Sequence, residues 1–393
     1  MKLRYKFYSL MLIMSVWAYG QETRVILSES IEVNKEKSVV FNLKNTTVGI
    51  EESTDGKVHF MYRLDFEGYT DKQIKSAIKE ITAKVSYSGN HISLTANSST
   101  AINPINFSVG DTKNLLLKPN QSVSKKTDSV VQISKDSLLS VIRKNRKPSL
   151  EHIIEQFAFF KGNSRNNMYN QVSKKKVDIL KSKFIIKVPP FVKLNINAEN
   201  SQIYLNSDVR NELNVELTTG VFRAKSLSNP YNRFKLKNVF AFEVENITGG
   251  NYTLNSVYSG KIGSLSNSKI TSEFSKVKIG EIAKNNTITD FNSEYWFYNW
   301  GASFNRFDLF SEYSKIHFFY PEKNHSFKVV GNNTKNLLSD GMEINMQPTK
   351  KAQKFTMMTK EPHPGEPSSG KISFDMVHGI IYSHNDSIKI INK

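Results

Sequence analysis

From Phe222 to Phe327 apolar residues return at a nearly constant spacing, in four sets. The first comprises Phe222, Phe240, Tyr258, Phe274, Tyr295 and Tyr313. The second is Val244, Ile262, Ile279, Phe297 and Ile316, and the third is Leu236, Leu254, Ile270, Ile288, Phe307 and Phe327. A shorter fourth set is Ile247, Leu265, Ile282 and Trp300. Steps within the sets fall between 16 and 21 residues. Short words repeat with them: Ser272-Glu273-Phe274-Ser275-Lys276 returns as Ser311-Glu312-Tyr313-Ser314-Lys315. A fixed period of this length is the signature of stacked structural repeats. The segments between turns are short, rich in Phe, Tyr, Ile, Val and Thr, and bounded by Asn, Ser, Gly and Lys, which reads as strands. The pattern therefore predicts an all-β-dominated chain built on a parallel β-solenoid of about 18 residues per rung, each rung about 4.8 Å above the last. A right-handed path is expected, since parallel crossovers almost always take that hand. An antiparallel sandwich is the alternative for such short strands.

The rest of the chain divides by its pattern. Residues 1–20 carry a basic start (Lys2, Arg4, Lys6) and a short apolar run, Phe7 to Ala18, which predicts a signal peptide. No later run is long enough for a transmembrane helix, so no span is expected in the mature chain. Residues 21–100 read as strands with one helix, from Asp71 to Ala83, entered through a capping box at Thr70 and Gln73. Residues 101–183 are polar and rich in Lys and Ser. They read as an insertion, helical in part (Ser137 to Arg143, Ser149 to Lys161) and partly disordered. The β-solenoid is expected over 184–335, and 336–393 as a Pro/Gly/Ser loop with terminal strands that cover the open end.

Composition narrows the function. The 393 residues contain no cysteine, which removes disulfides, zinc–thiolate sites and thiol nucleophiles. The formal net charge is +18, which favours an anionic partner. In an exported chain without a nucleic-acid-binding motif, that partner is an anionic polysaccharide or another cell-envelope component rather than nucleic acid. The eight histidines show no metal-ligand spacing, and the nucleotide-binding and hydrolase motifs are absent, so no catalytic residue, cofactor or metal is assigned. Glu273, Glu294 and Glu312 each follow a serine. Stacked in one column, their carboxylates would approach the separation of a glycosidase pair, and solvated they would be inert. The most unusual word is Tyr295-Trp296-Phe297-Tyr298-Asn299-Trp300. Alternation sends Tyr295 and Phe297 inward, Trp296 and Tyr298 outward. Trp296, Tyr298 and Trp300, with Lys278, Lys315 and His317 on neighbouring rungs, form the candidate glycan-contact surface. Packing of that strip under another segment is the competing reading.

Two passages carry a resemblance: Phe184-Ile185-Ile186-Lys187-Val188-Pro189-Pro190 with the strand that follows, and the repeats after it. They resemble the exported "putative adhesin" β-solenoid proteins of Gram-negative bacteria, over about residues 184–335. The resemblance implies a non-enzymatic, adhesin-like or structural module of the cell envelope, located in the periplasm, on the outer surface or secreted. The alternatives are a polysaccharide-active β-helix enzyme and a non-catalytic glycan-binding module.

Overall fold

The computed structural model describes residues 22–98, 103–104, 179–321, 324–337, 345–348, 355–365 and 367–384. The expected signal peptide, the helices expected at 137–143 and 149–161, and most of the polar region lie outside these residues.

The described residues are all-β with one helix, and the strands join in one extended, mostly parallel sheet. Two parallel ladders run through it. In hydrogen-bonding order the first contains β6 (His91–Asn97), β2 (Ser38–Lys44), β9 (Lys193–Leu205), β10 (Leu213–Leu227) and β11 (Arg233–Thr248). It continues through β12 (Asn251–Asn255), β14 (Lys269–Glu273), β16 (Asn285–Phe291), β18 (Arg306–Glu312), β24 (Lys371–Val377) and β20 (Ser326–Asn332). The second begins with β8 (Ile179–Val188) and β3 (Thr47–Glu52) and passes through the later halves of β9, β10 and β11. It then takes in β13 (Gly260–Ser266), β15 (Lys276–Ile282), β17 (Glu294–Trp300), β19 (Lys315–Phe319), β25 (Ile380–His384) and β21 (Lys335–Leu337).

The two ladders meet at a corner where one residue per rung has positive φ. Asn200, Asn238, Ser256, Asn292 and Asn333 hold it at 47–55°. Asn tolerates this left-handed conformation better than most residues. The serine after the corner completes the turn. The Ser275 hydroxyl accepts from the Val257 N–H (3.0 Å) and donates to the Glu273 carbonyl (2.8 Å). Ser293 repeats this on the Ser275 N–H (3.0 Å) and the Phe291 carbonyl (3.2 Å). The repeated Ser-Glu-aromatic-Ser-Lys words are therefore corners, and their serines satisfy backbone donors that the ladder leaves open.

Inward side chains of both ladders form one apolar core. Phe222 meets Phe234 across it at 5.1 Å, and Phe297 meets Phe307 at 4.9 Å. Val244, Ile262, Ile279 and Phe297 share one column, and Ile247, Leu265, Ile282 and Trp300 another, as the spacing predicts. The first and third sets mix columns, and the second leaves its column at Ile316. Tyr258, Phe274 and Tyr313 are more than half exposed at the corner, whereas Phe222 and Tyr295 are buried in the second ladder. Ile316 lies beside Tyr295, and Phe297 is followed by Phe318. Leu254 is followed by Ser272 and not Ile270. Such slips arise because a shift of two residues keeps every side chain on its own face, so an apolar count cannot detect it.

The polar outcome of that slip is a buried cluster at Ser272, Asp290 and Ser311. The Asp290 carboxylate accepts from Ser272 (2.6 Å) and Ser314 (2.5 Å). Tyr295 reaches the Ser272 hydroxyl at 2.6 Å. Burial, then the Asp290 charge, holds the Tyr295 phenol far above its ordinary range, so it stays a donor.

Rung order departs from chain order at one place. β24 and β25 lie between β18/β19 and β20/β21, so residues 371–384 fill a rung inside the stack and do not cover its end. Phe307 and Phe327 are both opposite Ile372. Antiparallel strands close the edges: β5 (Thr82–Ser88) on β6, and β23 (Phe355–Lys360) with β22 (Asn345–Pro348) on β20. β4 (Lys57–Glu67) with β1 (Glu22–Glu32) does the same on β8, which also pairs with the short β7 (Asn103–Pro104). The helix α1 (Asp71–Lys79) starts at the Thr70–Gln73 capping box and buries Ile74.

Candidate functional site

The site grows out of one outward column of the second ladder: Tyr204, Arg223, Glu243, Lys261, Lys278, Trp296, His317 and Tyr382. Parallel register forces each side chain onto the one below, so each must suit its neighbours. In the upper part they alternate in charge. Arg223 sits over the Tyr204 ring at 5.7 Å and contacts Glu243 at 2.6 Å, and Lys261 reaches Glu243 at 3.0 Å. From Lys278 downward the column becomes aromatic. The Lys278 ammonium lies 5.0 Å from the Trp296 ring. Trp296 stacks on His317 (4.8 Å, 5°), and His317 on Tyr382 (4.7 Å, 7°).

A second ring column stands beside it. Tyr298 stacks on Phe319 (5.1 Å), and Phe319 on His384 (4.7 Å). The columns are joined by His317 and His384, nearly parallel at 5.9 Å. All six rings are half-buried. Their planes lie within 7° of parallel along the first column and 27° along the second, so each face covers the next and the edges point outward. Ring edges carry the positive end of the aromatic quadrupole. The indole N–H, the imidazole N–H groups and the tyrosine hydroxyls lie on those edges as well. Such edges can receive an acidic group edge-on, whereas faces covered by neighbouring rings leave little room for a sugar laid flat on them.

One of those edge donors already has an acidic partner within the protein. Glu294 lies between Lys276 (3.8 Å) and His317 (3.3 Å). The His317 hydrogen bond holds the Glu294 carboxyl below its ordinary range against the opposing effect of burial, and the nearby Lys276 and Lys315 add to it. Lys315 is exposed at the start of β19. Trp300 does not join the strip. Its ring is buried against Phe304, Phe307 and Phe318, and its indole N–H donates to the Phe319 carbonyl at 2.8 Å. The bend of β17 near Tyr298 breaks strict alternation and turns Trp300 inward. Phe319, Tyr382 and His384 were missed by sequence reasoning; pairing β25 directly below β19 would have found the last two.

The three glutamates do not stack. Glu273 and Glu312 are separated by Phe291 in the first ladder, and Glu294 belongs to the second. A glycosidase-like carboxylate pair is thus not formed by these residues. Among the described residues no cluster of three metal-ligating side chains occurs, and no helix is long and apolar enough to cross a membrane.

Burial, and secondarily His317, hold the His384 imidazole below the ordinary histidine range. The unfolded chain then binds this proton at a higher pH than the folded protein does. Stability is complete above about pH 6.5 and declines as the pH falls towards the folded value. Urea midpoints between pH 5 and 8 should fall on the acid side in the wild type and less steeply in His384→Phe, which keeps the ring stack on Phe319. Equal slopes in the two proteins would remove His384 from the explanation.

No family model and no curated protein matches this chain. Solved structures align along it at 9% identity. One is described as a "putative cell adhesion protein" of Clostridium sporogenes, covering 93% of this chain and 100% of that chain at a TM-score of 0.19. Another is a "putative adhesin" of Bacteroides fragilis, with 93% and 99% covered and a TM-score of 0.22. A third is a "putative lipid binding protein" of Parabacteroides distasonis, with 93% and 98% covered and a TM-score of 0.26. Scores this low carry neither a family nor a role across to this chain.

Proposed function

We propose that this protein is an exported β-solenoid that acts without catalysis as an adhesin-like module of the cell envelope, and that it binds acidic polysaccharide along the strip from Lys278 to Tyr382. The solenoid reading rests on two parallel ladders that share a corner once every 18 to 21 residues between Asn200 and Tyr313. The binding reading rests on one observation: six stacked rings in two adjoining columns present their edges outward, five of them with polar hydrogens, flanked by Lys276, Lys278 and Lys315. A repeating carboxylate or sulfate on a polymer matches such a column, because successive groups meet successive rungs. The net charge of +18 draws an anionic chain towards it.

Titration calorimetry with alginate oligosaccharides and a neutral dextran of equal length tests the reading. Binding of alginate but not dextran is expected, with affinity falling as salt rises. Trp296→Ala should lower alginate affinity about tenfold, the loss of roughly 1.4 kcal/mol. Equal binding of the two polymers, or an unchanged Trp296→Ala, would refute it.

A further inference from the structure

A second aromatic ladder climbs the corner itself, on the side of the first sheet ladder. Phe274 meets Phe291 at 5.7 Å with planes at 87°, Phe291 meets Tyr313 at 5.8 Å and 71°, and Tyr313 stacks on His378 at 5.0 Å. Phe274 and Tyr313 are 54% and 53% exposed, and neighbouring Phe310 is 48% exposed. These rings gain little from burial. Phe274, Tyr313 and His378 moreover sit at φ of 49°, 55° and 53°, the position most other rungs give to Asn. A bulky side chain is strained there, and a ring left half exposed recovers only part of what full burial would return. Folding alone therefore does not account for aromatic residues on these rungs.

The ladder borders a groove of about 370 Å³ whose outward lining includes the carboxylates of Glu273, Glu312 and Asp375, the hydroxyls of Thr271 and Thr289, and the rings of Phe291 and Phe310, while the carboxylate of Asp290 beneath it turns into the core. No lysine or arginine lines it, in a chain of net charge +18. Lys276 and Lys315 begin strands on the other side of the corner, and Lys276 is paired with Glu294. The geometry is the reverse of the Trp296 strip. Rings at right angles leave faces uncovered, and an aromatic face attracts a cation. Phe291 separates Glu273 from Glu312 in the register, so their oxygens do not converge on one point as a primary ammonium donor requires. Open ring faces with diffuse negative charge suit a cation that donates no hydrogen bonds.

We propose that this corner groove binds the trimethylammonium group of a choline headgroup presented at a lipid surface. The groove lies against a ridge of exposed Phe and Tyr side chains, which can enter the headgroup layer while the carboxylates face the ammonium.

The test is cosedimentation of the full chain with phosphatidylcholine vesicles and with phosphatidylglycerol vesicles. The wild type should pellet with phosphatidylcholine, and tetramethylammonium chloride should displace it where sodium chloride at the same ionic strength does not. Phe291→Ala and Phe274→Asn should each weaken the association about tenfold. Phe274→Asn separates binding from folding: Asn suits the corner conformation, so its melting temperature should equal or exceed that of the wild type. No association with phosphatidylcholine, preference for phosphatidylglycerol, or full binding by either variant overturns the proposal. Stronger displacement by oligolysine than by tetramethylammonium, pointing to a basic peptide, or binding of soluble phosphocholine without vesicle association also overturns it.

Discussion

Phe297→Ala is expected to destabilise the protein by about 3–5 kcal/mol. Phe297 is fully buried in the second ladder, between Ile279 and Phe318 in register. Its ring packs on Tyr295 at 5.5 Å within its own strand and on Phe307 at 4.9 Å across the core. It also lies 6.5 Å from Phe374, which belongs to the rung contributed by residues 371–384. Truncation removes most of a large apolar side chain, and the surrounding ladders cannot close the gap without breaking register. The cavity therefore adds to the lost transfer energy. The loss should reach neighbouring rungs, because each rung of a stack depends on its neighbours. Urea denaturation read by near-ultraviolet dichroism measures it. A change below about 1 kcal/mol would mean that this column is not packed as described.

Gly220→Ala is expected to be comparably severe, for a different reason. Gly220 follows the corner residue Thr219 in β10 and has φ of +145°, where residues with a Cβ are strained. A Cβ built there would lie 1.9 Å from the Ser201 carbonyl oxygen, a backbone atom of the rung before it. Ser201 cannot easily retreat, since its hydroxyl accepts from the Thr46 N–H at 3.1 Å and donates to the Glu199 carbonyl at 2.8 Å. The substitution must open the corner or break these bonds, at a cost above about 3 kcal/mol. A Gly220→Ala protein melting within about 2 °C of the wild type would contradict the close approach.

What the sequence made legible follows from these two positions. The Phe297 column could be read because its rungs keep both spacing and face, and the fourth set could be read for the same reason. Phe274 fell into one set with the buried Tyr295 because an aromatic at period 18 looks the same whether it points inward or sits on a corner. Only backbone conformation separates the two, and its local signal, the Asn before a capping Ser or Thr in some other rungs, is short and weak. The placement of residues 371–384 inside the stack was not legible at all. Their pairing with β18 and β20 is a long-range contact that no local spacing encodes. That same insertion supplies Tyr382 and His384, so half of the ring strip was named from sequence and half was not. Trp296, Tyr298 and His317 were grouped from the sequence, yet their stacking edge-outward depends on register between strands and could not be inferred from alternation.

The most direct test of the binding account is a nuclear magnetic resonance titration with an alginate hexasaccharide, following the ring signals of Trp296, His317, Tyr382 and His384. The account predicts saturable shifts at these rings, with the buried Trp300 indole signal unmoved because its N–H is already held by the Phe319 carbonyl. Absence of shifts at these rings under saturating ligand, or shifts confined to scattered lysines elsewhere on the chain, would contradict it.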